Sequence, residues 1–106
     1  MTSARGVGAE AEEVVRAELI KKGQHPERFE NYNEDGGGMP DYFIPEGGYV
    51  EVKTLDFSMA QVRQFQGLVG VKIAIVPVGT EFGKQSLERK IVGKTVYIDA
   101  SQFFSV

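Results

Sequence analysis

The chain contains no cysteine and no tryptophan, and a single histidine, His25. Without cysteine there are no disulfides, no thiolate metal ligands and no cysteine nucleophile. With one histidine and no thiol, a zinc centre lacks its usual ligands. No run of 18 apolar residues occurs, so no segment reads as a membrane span. The opening MTSARGVGAEAEE is rich in Glu and has no apolar stretch, which excludes a signal peptide from the expectation and points to a cytoplasmic protein. What remains is 106 residues, 42% hydrophobic and 25% charged, the profile of one soluble domain spanning 1–106 with no organic cofactor implied.

The net charge of −3 conceals an asymmetry. Residues 1–60 carry 12 acids and 6 bases, residues 61–106 carry 3 acids and 6 bases, so the halves stand at −6 and +3. The positive half, with Arg63, Lys72, Lys84, Arg89, Lys90 and Lys94, offers a face for a polyanion or simply a solvated surface.

GAEAEEVVRAELIKKG predicts a helix from Gly8 to Lys22, with Val7, Ala11, Val14 and Glu18 on one face and Gly23 as its stop. A short strand is expected around Arg28–Tyr32. DYFIP and YVEVKT read as a hairpin turning at Glu46-Gly47-Gly48. A helix follows from Ser58 to Leu68, opened by a Ser58/Gln61 capping box, with Val62, Phe65 and Val69 facing inward. KIAIVPVG is expected as one buried strand, SLERKIVG as a short helical turn, and KTVYIDA as the last strand. The class is α/β: a central mixed β-sheet flanked by helices, in the order αβββαβ. Phe103, Phe104 and Val106 have no obvious partner in so short a chain, which suggests a homodimer.

The hairpin holds the unusual charges. Alternation puts Val50 and Val52 on one face of the second strand and Glu51 and Lys53 on the other. With a Glu46-Gly47-Gly48 turn, Asp41 pairs opposite Lys53 and Phe43 opposite Glu51. Asp41 and Glu51 are then diagonal neighbours about 7–8 Å apart. Two carboxylates so placed repel unless a cation lies between them, and all-oxygen ligation beside a phosphate favours Mg²⁺, with Mn²⁺ able to substitute. Lys53 on the same face can orient or deprotonate a water, or neutralise charge developing on a phosphorus centre.

Pro40-Asp41, nine intervening residues, then Glu51-Val52-Lys53 resembles the signature of the PD-(D/E)xK nuclease superfamily. Within it the chain is most similar to archaeal Holliday junction resolvase-type nucleases. Gly6 with Glu10 in the first helix, Gly36-Gly37-Gly38 before the Asp, and Gln61 in the helix after the Lys carry that likeness. The resemblance implies a restriction-endonuclease-like core and Mg²⁺-dependent hydrolysis of DNA, branched DNA included. It implies Asp41, Glu51, Lys53 and Glu10 as catalytic, with the metal on Asp41, Glu51, the Val52 carbonyl and, through water, Glu10. Glu13 is the competing first-helix acid. Gln61, Arg63, Lys72 and Arg5 are the expected nucleic-acid contacts, and a homodimer the expected assembly. A nuclease fold that binds nucleic acid without cutting it, or a plain interaction domain, is the alternative.

Overall fold

The structure, a computed structural model, describes residues 4–29, 39–54, 57–82 and 87–104, with side chains throughout these except at 4–6, 80–82, 87 and 88. The first helix, α1, runs Ala4–Lys21, starting earlier than the periodicity predicts. Its inward stripe is Val7, Ala11, Val15 and Leu19, each four residues from the last, and all four are buried. Leu19, which the sequence reading passed over, takes the inward position expected of Glu18. Gly23, with φ +86, ends the helix, and the Gly23 N–H donates to the carbonyl of Ile20.

Seven strands follow among the described residues. β1 (Glu27–Arg28) and β2 (Tyr42–Phe43) are two residues each, and β3 is Tyr49–Lys53. Beyond Phe29 the expected first strand falls outside the described residues, as do Gly36, Gly37 and Gly38. β4 spans Val71–Ile75, β5 Val78–Phe82, β6 Leu87–Ile91 and β7 Val96–Asp99. The main sheet has the order β1-β2-β3-β4-β7, with β3 and β4 parallel and the other pairs antiparallel. This is the mixed sheet of an α/β protein. β5 and β6 form a separate two-stranded ribbon.

Two expectations about this region are corrected. KIAIVPVG is two strands, because Pro77 has no N–H to continue the β4 ladder. SLERKIVG contains strand β6 where a helical turn was expected. Leu87 and Ile91 stand four residues apart, which fits a helix, but they also alternate with Glu88 and Lys90, which fits the strand that forms.

Each face of the sheet has its own core. Toward α1 lie Ala11, Val15, Leu19, Tyr42, Ile44, Val50, Ala74 and Val76. On the other face Val62, Phe65, Val71, Ile73 and Ala100 pack together. At about 1.5–3 kcal/mol for each large apolar side chain, these two layers supply most of what orders the chain. The second helix, α2, is Met59–Arg63, capped as the sequence predicts: Gln61 N donates to Ser58 Oγ and Ser58 N to Gln61 Oε1. It stops well short of Leu68, so Val69 does not follow Val62 and Phe65 inward but stands 88% exposed.

The tail has a partner after all. A 3-10 helix at Ala100–Phe103, capped by the Asp99 side chain, lays Phe103 and Phe104 against the Val62–Phe65 layer. That removes the tail as a reason to expect a homodimer; Val106 lies outside the described residues. Among the described residues no helix is long and apolar enough to cross a membrane.

Candidate metal and phosphate site

The site begins with a turn. Ile44 N donates to Gly48 O at 2.9 Å and Gly47 N to Ile44 O at 2.9 Å, so the loop is Pro45-Glu46-Gly47 rather than Glu46-Gly47-Gly48. Gly48 has φ +94, and a Cβ on it would lie 2.1 Å from the carbonyl oxygen of Gly70. Only glycine lets the hairpin approach the start of β4 this closely. The resulting register pairs Tyr42 with Val50 and Phe43 with Tyr49, two residues away from the predicted pairing. A slip of two preserves which face each side chain occupies, so Asp41 and Glu51 remain on one side. It also brings Asp41 opposite Glu51 instead of Lys53.

Asp41 and Glu51 lock each other in place. Asp41 N donates to Glu51 Oε1 at 3.0 Å, and Val52 N donates to Asp41 Oδ2 at 2.8 Å. One oxygen of each carboxyl is thus held by the other strand's main chain. Lys53 Nζ lies 3.2 Å from Glu51 Oε2, so all three charges of the motif meet in one cluster.

The environment of Glu51 is unusual for an acid. The residue is only 7% exposed. Burial, then the charge of Asp41 and a hydrogen bond between the two carboxyls, push its pKa up to about 8; Lys53 opposes these effects without cancelling them. Near neutral pH Glu51 therefore keeps its proton.

The main chain at Val52 points into the same place. Lys53 O accepts from Val76 N on β4 at 2.8 Å. Alternation along β3 turns the Val52 N–H and C=O the opposite way, toward the Asp41 side. The N–H is taken by Asp41, and the Val52 carbonyl turns to the same edge of β3.

The first-helix acid is a different one from that expected. With about 100° per residue, Glu10 and Glu13 sit about 140–160° around the helix from buried Val15, and both are exposed. Glu12 lies about 60° from Val15 and is half-buried. Its carboxyl is 2.6 Å from Arg28 Nη2, and its pKa is raised first by burial and then by Asp41. Glu12 and Arg28, neither expected from the sequence, thus border the site. The helical-wheel position flanking the Ala11–Val15 stripe was the available signal. Among the described residues no group of three His, Asp or Glu side chains stands close enough together to hold a metal.

The expected nucleic-acid contacts are dispersed. The Gln61 side chain is engaged in the α2 cap. Arg63 Nε donates to Phe103 O at 3.2 Å, tying α2 to the tail. Lys72 is exposed on β4, one residue into the strand. Arg5 is in the first turn of α1, its side chain outside the described residues. His25 is exposed in the loop after α1, and its Nδ1 lies 2.6 Å from Glu46 Oε2, linking that loop to the hairpin turn.

Comparison with protein-family models, with curated proteins and with solved structures finds no match in any of the three.

Proposed function

We propose that this chain is a magnesium-dependent endonuclease of the PD-(D/E)xK type that hydrolyses DNA phosphodiester bonds on a restriction-endonuclease-like core. The observation that carries the reading is the reciprocal lock of Asp41 and Glu51, with Lys53 on the second oxygen of Glu51. Two adjacent acids, one buried and protonated to about pH 8, are costly as they stand. A divalent cation would displace that proton and remove the repulsion.

The donors suit magnesium. Asp41, Glu51 and the Val52 carbonyl would hold it with oxygen alone, leaving the remaining positions to water and a phosphate oxygen. Glu10 has no part in this set, since it faces solvent. Bound there, the ion supplies Lewis acidity toward the phosphoryl group and lowers the pKa of a coordinated water.

The chain's own groups do the rest. Once Glu51 is ionised, the Lys53 amine is positioned to hold the attacking water and to offset negative charge growing on the phosphoryl oxygens. The main-chain bonds to Asp41 and Glu51 keep the carboxylates from rotating, so the site is set before substrate arrives. Attack at phosphorus with loss of the 3′ oxygen gives a 5′-phosphate and a 3′-hydroxyl.

The test is incubation of linear, flap and four-way branched DNA with Mg²⁺, Mn²⁺ or EDTA. Cleavage is expected with either metal, abolished by EDTA, and reduced at least about 100-fold in Asp41→Asn, which preserves an acceptor for Val52 N. Salt-sensitive binding without cleavage would instead favour a nuclease fold that only binds nucleic acid. Neither activity would leave an interaction domain.

A further inference from the structure

The β5–β6 ribbon is unexplained by the site so far described, and its root adjoins that site. β3 and β4 are parallel, so both point their C-terminal ends the same way, and Val76 N, one residue past β4, bonds Lys53 O at 2.8 Å. The chain then enters Pro77 and β5. Pro77 O accepts from Val92 N at 2.9 Å, Pro77 packs beside Gly93, and Val92 beside Gly79, which closes the ribbon's base.

The return path has two extra residues. Ile75 pairs with Val96 on the sheet, but Val78 pairs with Ile91 on the ribbon, so two residues on one side face four on the other. Such a bulge bends the ladder, and the ribbon departs as a separate sheet. Its base is fixed: Ile91 packs into the layer formed by Ala11 and Val15. The ribbon therefore springs from the catalytic end of the sheet, one to two strand spacings from β3, about 5–10 Å.

Its composition is distinct. Of the six bases in residues 61–106, four (Lys84, Arg89, Lys90 and Lys94) fall between Val78 and Thr95, against two acids, Glu81 and Glu88. A five-residue ribbon extends about 16 Å, and a two-stranded ribbon is narrow enough to lie along a duplex groove.

We infer that the β5–β6 ribbon is a second grip on the substrate, laid along the sugar–phosphate backbone of a duplex whose scissile phosphate lies at Asp41, Glu51 and Lys53. This rests on the nuclease reading for its choice of ligand. The ribbon contributes affinity and sets how much duplex beside the cut is covered, while the carboxylate cluster performs the chemistry.

The experiment compares Lys90→Glu with Lys94→Glu, combined, against Lys21→Glu with Lys22→Glu, an equal change of charge at the far end of α1. Binding of a 30-base-pair fluorescent duplex is measured in EDTA across a salt series, with melting temperature confirming the fold. Arg89→Glu, tested alone, serves if the double variant does not fold. The ribbon variant should bind roughly tenfold more weakly than the control pair, with a log K against log salt slope smaller by about two. Equal losses in the two pairs would overturn the inference.

Hydrolysis of bis(p-nitrophenyl) phosphate by the wild-type chain with Mn²⁺ separates the two ideas. Hydrolysis with no ribbon effect on duplex binding overturns the ribbon alone. Ribbon-dependent binding without any hydrolysis overturns the nuclease reading and leaves the ribbon as a nucleic-acid grip. A wild-type chain that neither binds nor hydrolyses overturns both.

Discussion

Glu51 is the residue on which the proposed chemistry and the stability of this protein meet. Unfolded, its carboxyl loses its proton near the ordinary value of 4.5; folded, it keeps the proton up to about 8. Between those values the native state binds more protons than the unfolded state, so stability falls as pH rises and levels off above about 8. Below 4.5 both states are protonated and the penalty vanishes. Glu51→Gln retains an acceptor for Asp41 N but cannot ionise. Its melting temperature should exceed the wild type by roughly 5 °C at pH 8 and by little at pH 4.5. An equal gain at both values would mean that the Glu51 pKa is not raised in the folded protein. Asp41→Ala is expected to act in the other direction. It strips Val52 N of its acceptor and should lower stability by about 1–2 kcal/mol in urea denaturation, while Asp41→Asn stays within about 1 kcal/mol of wild type.

At the scale of elements, the hairpin turn decides whether the site exists. Gly48 lies against Gly70 with positive φ, and together they set β3 beside β4. Gly48→Ala would both strain the backbone and clash with the Gly70 carbonyl, and should cost about 2–4 kcal/mol by denaturation. The reciprocal bonds of Asp41 and Glu51 should loosen with it, seen as a downward shift of the Glu51 pKa by carboxyl NMR. The α2 cap is a milder case: Ser58→Ala should cost about 1 kcal/mol and leave the site's titration unchanged.

The same elements show where sequence is legible. Alternation in YVEVK fixed the face on which Glu51 and Lys53 lie, and a glycine pair marked the hairpin. The turn's exact residues were not readable, because Pro45 and Gly48 each suit the edge of a tight turn. Parity survived the two-residue error, so Asp41 and Glu51 still share a face, now directly opposite rather than diagonal. The first-helix acid was misread for a related reason. Four glutamates, at 10, 12, 13 and 18, surround a stripe broad enough to be drawn through Val14 or Val15, and only packing chooses between them. Glu18, read as inward-facing, instead accepts hydrogen bonds from Thr95 and Tyr97 at 3.0 and 2.6 Å at the edge of the layer.

For the whole molecule, the charge asymmetry of the sequence acquires a location. Among the described residues Arg89, Lys90 and Lys94 lie on or beside the ribbon, and Lys53, beside Glu51, is bonded at its root through Val76 N. The proposed polyanion grip and the proposed cation site thus share one end of the sheet, an arrangement invisible until β3 and β4 are known to be parallel. Isothermal titration of Mn²⁺ at pH 6.5, repeated in two buffers of different ionisation enthalpy, tests the core of this picture most directly. Binding should release close to one proton per ion in the wild type, because Glu51 enters the complex protonated, and the release should vanish in Glu51→Gln. An absence of binding, or binding that releases no proton, would contradict the assignment of Asp41 and Glu51 as a metal site.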